Sequence, residues 1–117
     1  AYALRLPDRG GPPYGSIDWS APLRLDFEPP DHEAFPCLGL AYEAARIGGT
    51  APAWLNAANE MVVAAFLEGR LAWVAIPEVL QASLARHDGS AATTVADVVG
   101  ADERARAVTA ELLRTWT

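Results

Sequence analysis

Leu23-Arg24-Leu25-Asp26-Phe27-Glu28 alternates strictly, with Leu23, Leu25 and Phe27 on one side and three charged residues on the other. A period of two predicts a half-buried strand, and Pro29-Pro30 closes it. No second run of comparable quality exists, and a lone strand cannot satisfy its own backbone groups. The pattern therefore predicts pairing with polypeptide outside this chain or with a second copy, and a chain that is a piece of something longer. From Pro36 onward the period becomes helical. A first helix over about 36–47 carries the stripe Leu38, Ala41, Tyr42 and Ala45 and ends at Gly48-Gly49. A second, over about 51–68, is capped by Thr50 and stopped by Gly69. Arg70 to Ala75 reads as an extended connector, followed by a third helix over about 76–87 with the row Ile76, Leu80 and Leu84. Thr94-Val95-Ala96-Asp97 suggests a capping box opening a single turn. After Gly100, Asp102 caps a last helix over about 103–116, with Ala105, Val108, Leu112 and Trp116 in register. The predicted class is mainly α, a small antiparallel four-helix bundle preceded by an extended arm with one β-strand.

Composition narrows the function more than it names one. At 117 residues the chain suits one domain and is too short for a two-domain redox enzyme. Ala1-Tyr2-Ala3-Leu4 looks like the end of a preceding segment, and Gly10-Gly11-Pro12-Pro13-Tyr14-Gly15 is a loop. A net charge of −6 argues against nucleic acid, which needs a basic face. No apolar run reaches the roughly 20 residues of a membrane span, and the start lacks a secretory signal. All nine basic residues are arginine, so lysine chemistry is absent. The single Cys37 excludes an intrachain disulfide and fits a reducing cytoplasm.

Candidate chemistry is sparse. Asn56, Asn59 and Glu60 fall within an arc of about 100° on the second helix, and Val63 and Leu67 continue that arc. One reading is a ligand or metal site using the Glu60 carboxylate. The other, which ranks first, is a buried hydrogen-bond network fixing register with a neighbour. Cys37 in a first helical turn, with His32 five residues before it, could form a nucleophile and base. No third orienting residue accompanies them, and an inert thiol ranks first. Asp26, Glu28, Asp31, His32 and Glu33 could offer hard-metal ligands, but their spacing matches no metal loop, and a solvated face before a helix N-terminus ranks first. His87 reads as a cation near a helix C-terminus, and Trp19, Trp54, Trp73 and Trp116 as packing residues. No dinucleotide fingerprint, P-loop or metalloprotease motif appears. The sequence thus predicts no catalytic, cofactor-binding or metal-binding residue in this chain.

Phe35-Pro36-Cys37-Leu38-Gly39-Leu40-Ala41-Tyr42-Glu43-Ala44 and Gly49-Thr50-Ala51-Pro52, with Leu55-Asn56-Ala57-Ala58-Asn59-Glu60 and Ala64-Ala65-Phe66-Leu67, resemble the C-terminal third of 1-deoxy-D-xylulose 5-phosphate reductoisomerase. Trp54, Met61 and Pro77 depart from that pattern. The resemblance implies that residues 1–34 are the end of the family's central domain and its linker strand, and 35–117 its C-terminal helical domain. It further implies a bacterial, cytoplasmic, homodimeric oxidoreductase of isoprenoid biosynthesis by the methylerythritol phosphate pathway. Such an enzyme uses NADPH and Mg2+ or Mn2+ to convert 1-deoxy-D-xylulose 5-phosphate to 2-C-methyl-D-erythritol 4-phosphate. Its cofactor fingerprint, metal carboxylates and catalytic loop precede the matching segment, so none is carried over to a position here. The chain alone is expected to be inactive, partnered by the rest of the enzyme. Two alternatives stand beside this reading. One is a stand-alone helical module docking its strand on a partner's sheet edge, the other a small thiol enzyme built on Cys37 and His32.

Overall fold

A computed structural model describes residues 17–116. The Ala1–Leu4 segment and the Gly10–Gly15 loop lie outside the described residues. Four helices follow in order: α1 Cys37–Ile47, α2 Ala51–Leu67, α3 Ile76–Leu84 and α4 Val95–Trp116, with a 3-10 turn, Trp73–Ala75, leading into α3. That turn occupies the end of the connector expected to be extended.

The middle of the bundle is α2, which packs against α1, α3 and α4. Its buried positions, Ala51, Trp54, Ala57, Ala58, Val62 and Ala65, recur at helical spacing. Most are alanines, and α4 answers with fully buried Ala101 and Ala105. Small side chains on both helices let the two backbones approach closely, and density is then completed by Trp54 and Val108. At the other end Val62, Leu71, Ile76, Val79, Leu112 and Leu113 form the larger apolar cluster. Each such side chain, removed from water, contributes about 1.5–3 kcal/mol.

The expected strand is not there. Residues 23–28 form no strand, and no strand occurs among the described residues. Leu23, Leu25 and Phe27 stand exposed, Phe27 at 91%, while the Arg24 Nε–H donates to Asp26 Oδ1 at 2.8 Å on the polar side. The reason is the one the pattern itself contains. Alternation supplies a face, but ladder hydrogen bonds need a second strand, and none is available among the described residues. The fold is all-α.

Two further expectations are corrected. The last helix does not begin after Gly100. It starts at Val95 and runs through that glycine for 22 residues. The capping box is real, with Thr94 Oγ1 accepting from the Asp97 N–H at 3.2 Å and Asp97 Oδ2 accepting from the Thr94 N–H at 2.8 Å. It opens the whole helix instead of a single turn. A mid-helix glycine costs about 1 kcal/mol, and burial of Ala101 and Ala105 on α2 offsets it. The α1 stripe is also displaced. Leu40 and Ala44 are the buried pair, whereas Leu38, Ala41, Tyr42 and Ala45 are exposed. An amphipathic pattern fixes that a helix has an apolar face, but not which apolar face a given neighbour takes.

Candidate functional site

Asn56, Asn59 and Glu60 are all exposed on α2, so the burial expected of them is not found. Two of the three are joined. Asn56 Nδ2 donates to Glu60 Oε1 at 3.2 Å, and Glu60 Oε2 accepts from Arg106 of α4 at 2.6 Å. Arg106 also holds Asp102, one turn earlier, through Nε at 2.7 Å. One guanidinium thus bridges two carboxylates and two helices, using the fork geometry that arginine offers. Hydrogen bonding and charge from Arg106 lower the Glu60 carboxyl below its usual value, and hydrogen bonding to Asp102, then to Glu60, raises Arg106. Asn59 is not joined to them. It lines a shallow apolar groove of about 310 Å³ with Cys37, Ala41, Leu55 and Leu80, and finds no side-chain partner among the described residues.

Cys37 and His32 do not assemble a thiol site. The two line different grooves, with His32 beside Gly39, Glu43 and Gln81 and Cys37 beside Leu38, Trp73 and Val74. Partial burial raises the Cys37 thiol above its usual value, which disfavours the thiolate. Two carboxylates of the acidic cluster serve local structure. Asp31 Oδ1 accepts from the Glu33 and Ala34 N–H groups at 2.9 and 3.0 Å, and Asp26 pairs with Arg24. Among the described residues no three His, Cys, Asp or Glu side chains converge to hold a metal ion.

The buried polar groups that do converge were not singled out by sequence. Trp54, 2% exposed, donates from Nε1 to the Ser83 carbonyl at 3.0 Å, and Ser83 Oγ meets Thr109 Oγ1 at 2.9 Å. These contacts tie α2, α3 and α4 through the middle of the core. The available signal was register. Ser83 lies three residues beyond Leu80, and Thr109 four beyond Ala105, each on its helix's buried face.

Thr50 is buried as well, and its hydroxyl does not cap α2. It donates to the Ser90 carbonyl at 3.0 Å, leaving its lone pairs for His87 Nε2 at 2.9 Å and Ser90 Oγ at 2.7 Å. His87 Nδ1 accepts from the Gly89 N–H at 3.2 Å. Both observations require the proton on Nε2, so this imidazole cannot take a proton from Thr50. Serine, threonine and histidine here form a latch between the α2 start and the loop after α3, not a nucleophile and base. His87, expected near a helix end, leaves α3 and packs its ring edge-on to Trp54, centroids 5.4 Å apart. No buried side-chain nitrogen or oxygen among the described residues lacks a partner. The polar interior is satisfied structure.

Comparison with known proteins agrees with this geometry. The family model described as DXP reductoisomerase C-terminal domain matches residues 1–108. The 1-deoxy-D-xylulose 5-phosphate reductoisomerase of Methylococcus capsulatus is 51% identical over 108 residues, covering 92% of this chain and 27% of its own. That of Chloroherpeton thalassium is 45% identical over 105 residues, covering 90% and 27%. Among solved structures, the Zymomonas mobilis enzyme in complex with NADPH superposes with a TM-score of 0.78 at 37% identity, over 94% of this chain and 29% of its own. The chain therefore spans little more than a quarter of the length of these relatives. With a domain model covering nearly all of it, the chain belongs to the DXP reductoisomerase C-terminal domain family.

Proposed function

We propose that this chain is the supporting C-terminal domain of a 1-deoxy-D-xylulose 5-phosphate reductoisomerase. In the whole enzyme NADPH would supply hydride and a divalent metal ion, Mg2+ or Mn2+, would assist the isomerisation to 2-C-methyl-D-erythritol 4-phosphate. The described residues fit neither group, since no three metal-ligating side chains converge and no glycine-rich turn follows a strand. The reacting groups then belong to polypeptide outside the matched segment, with a homodimer in the bacterial cytoplasm as the working form. In this reading residues 1–34 are the connecting arm and 35–117 the brace. Rigidity is what the bundle contributes, and the observation that carries this role is the buried Trp54–Ser83–Thr109 link. It fixes three helices to one another, and among the described residues no buried side-chain nitrogen or oxygen lacks a partner.

A chimera tests the proposal. This chain replaces the matched segment of the Methylococcus capsulatus relative, and NADPH consumption is followed with 1-deoxy-D-xylulose 5-phosphate and Mg2+. The chimera is expected to turn over while the 117-residue chain alone does not. A silent chimera that is nonetheless folded would contradict the proposal.

A further inference from the structure

One apolar patch of the bundle, between the start of α1 and the turn before α3, is covered by no other part of the described chain. Phe35, Trp73 and Val74 are 61%, 63% and 74% exposed. Phe35, Leu38, Trp73 and Val74 line a groove of about 380 Å³ between the start of α1 and the turn before α3. Large side chains concentrated like this mark a docking surface more often than scattered apolar residues do. Elsewhere several exposed charges pair with one another. Arg106 pairs with Glu60 and Asp102, Arg86 with Glu111, and Arg104 with Asp88. Among the described residues no ion pair involves α1.

We infer that this groove is where the bundle docks on the polypeptide that precedes the matched segment in the same enzyme, taking an apolar segment of it between α1 and the Trp73–Val74 shoulder. The inference rests on the proposed function and names the surface through which it acts. Its occupant follows from where the chain enters. Residues 33–36, where the arm meets α1, form one wall of the groove, so the covalent tether to the preceding polypeptide leaves from its edge. The relatives carry nearly three quarters of their length beyond the match, which covers 27–29% of them. A tethered partner acts at an effective concentration in about the millimolar range, so a shallow groove suffices. A second copy of this acidic chain has no such tether, and its net charge of −6 opposes self-association.

Hydrogen exchange on the isolated chain and on the Methylococcus capsulatus chimera tests the inference, together with the double substitution Phe35→Ser and Val74→Ser. Trp73 is left intact because its ring also packs on Phe66, centroids 5.6 Å apart. In the chimera, amides of the first turns of α1 and of Trp73–Val74 are expected to exchange roughly tenfold or more slowly than in the isolated chain. The double substitution is expected to lower the chimera's melting temperature by about 4 °C or more and to leave that of the isolated chain unchanged. An active chimera whose groove exchanges as in the isolated chain overturns the inference and spares the proposed function. A folded chimera that is inactive, with no new protection anywhere on this segment, overturns both. Protection that instead grows with the concentration of the isolated chain makes a second copy the occupant and overturns the inference.

Discussion

Gly49 takes φ +53°, and a Cβ built there lies 2.5 Å from the Ser90 carbonyl oxygen. That same oxygen accepts both the Thr50 N–H and the Thr50 hydroxyl, so it cannot retreat without opening the latch. Gly49→Ala is therefore expected to cost about 1–3 kcal/mol from the strained backbone alone, with further loss from the clash. A melting curve that matches the parent would contradict this account of the latch. Glu60 makes a second residue-level case. Its folded pKa is lowered, first by hydrogen bonding to Arg106, so its contribution is present above the unfolded value and is lost as pH falls through the folded one. Asp18, Asp88 and Asp97 are lowered too, and all four act with the same sign. Melting temperature is expected to fall on acidification below about pH 4.5, the ordinary glutamate range, with a shallower fall in Glu60→Gln. An equal acid slope in both proteins would sink the Arg106 bridge as a contributor. Individual residues were the hardest part to read from sequence. Ser83 and Thr109 look like ordinary surface residues and Thr50 like a helix cap, and their burial follows from tertiary register that no local pattern contains.

Among the elements, α2 and the cap at Thr94–Asp97 were readable because their signals are local, although the helix that cap opens was read as a single turn. Glycines bound α2, and a reciprocal side-chain cap opens α4. The strand at 23–28 failed for a matching reason. Its alternation is local, but the partner it requires is not. At Gly100 the local rule was overridden, since helix continuity is set by the alanine seam between α2 and α4. That difference can be measured. Gly100 lies inside a helix, and the nearest atom to an added Cβ is the flexible end of Arg104, at 3.3 Å. Gly100→Ala is thus expected to stabilise the protein by up to about 1 kcal/mol, raising the melting temperature by several degrees. A fall would mean that the guanidinium cannot move and that its pairing with Asp88 matters more than helix propensity. The opposite signs expected at Gly49 and Gly100 separate a glycine required by its conformation from one merely tolerated.

At the scale of the described residues, the molecule is an acidic helical scaffold whose buried side-chain polar atoms all have partners and which bears an uncovered apolar patch beside α1. The family was readable in the sequence because its motifs lie on helix ends and on the alanine-rich α2, where packing restricts the choice of residue. Trp54 shows what such motifs leave room for. Departing from the pattern, it acquires its own partners in Ser83 and His87. The candidate network was half readable. Asn56, Glu60 and their spacing were visible, but Arg106, which gives the network its purpose, lies 46 residues away on another helix. What the sequence could not show is which face α1 turns outward, because that depends on how it seats against α2 and α3, which no local pattern contains.

Calorimetric titration of the isolated chain, first with NADPH and then with Mg2+, asks most directly whether any reacting group resides here. The account predicts no saturable binding of either. Saturable binding abolished by a substitution within residues 17–116 would contradict it.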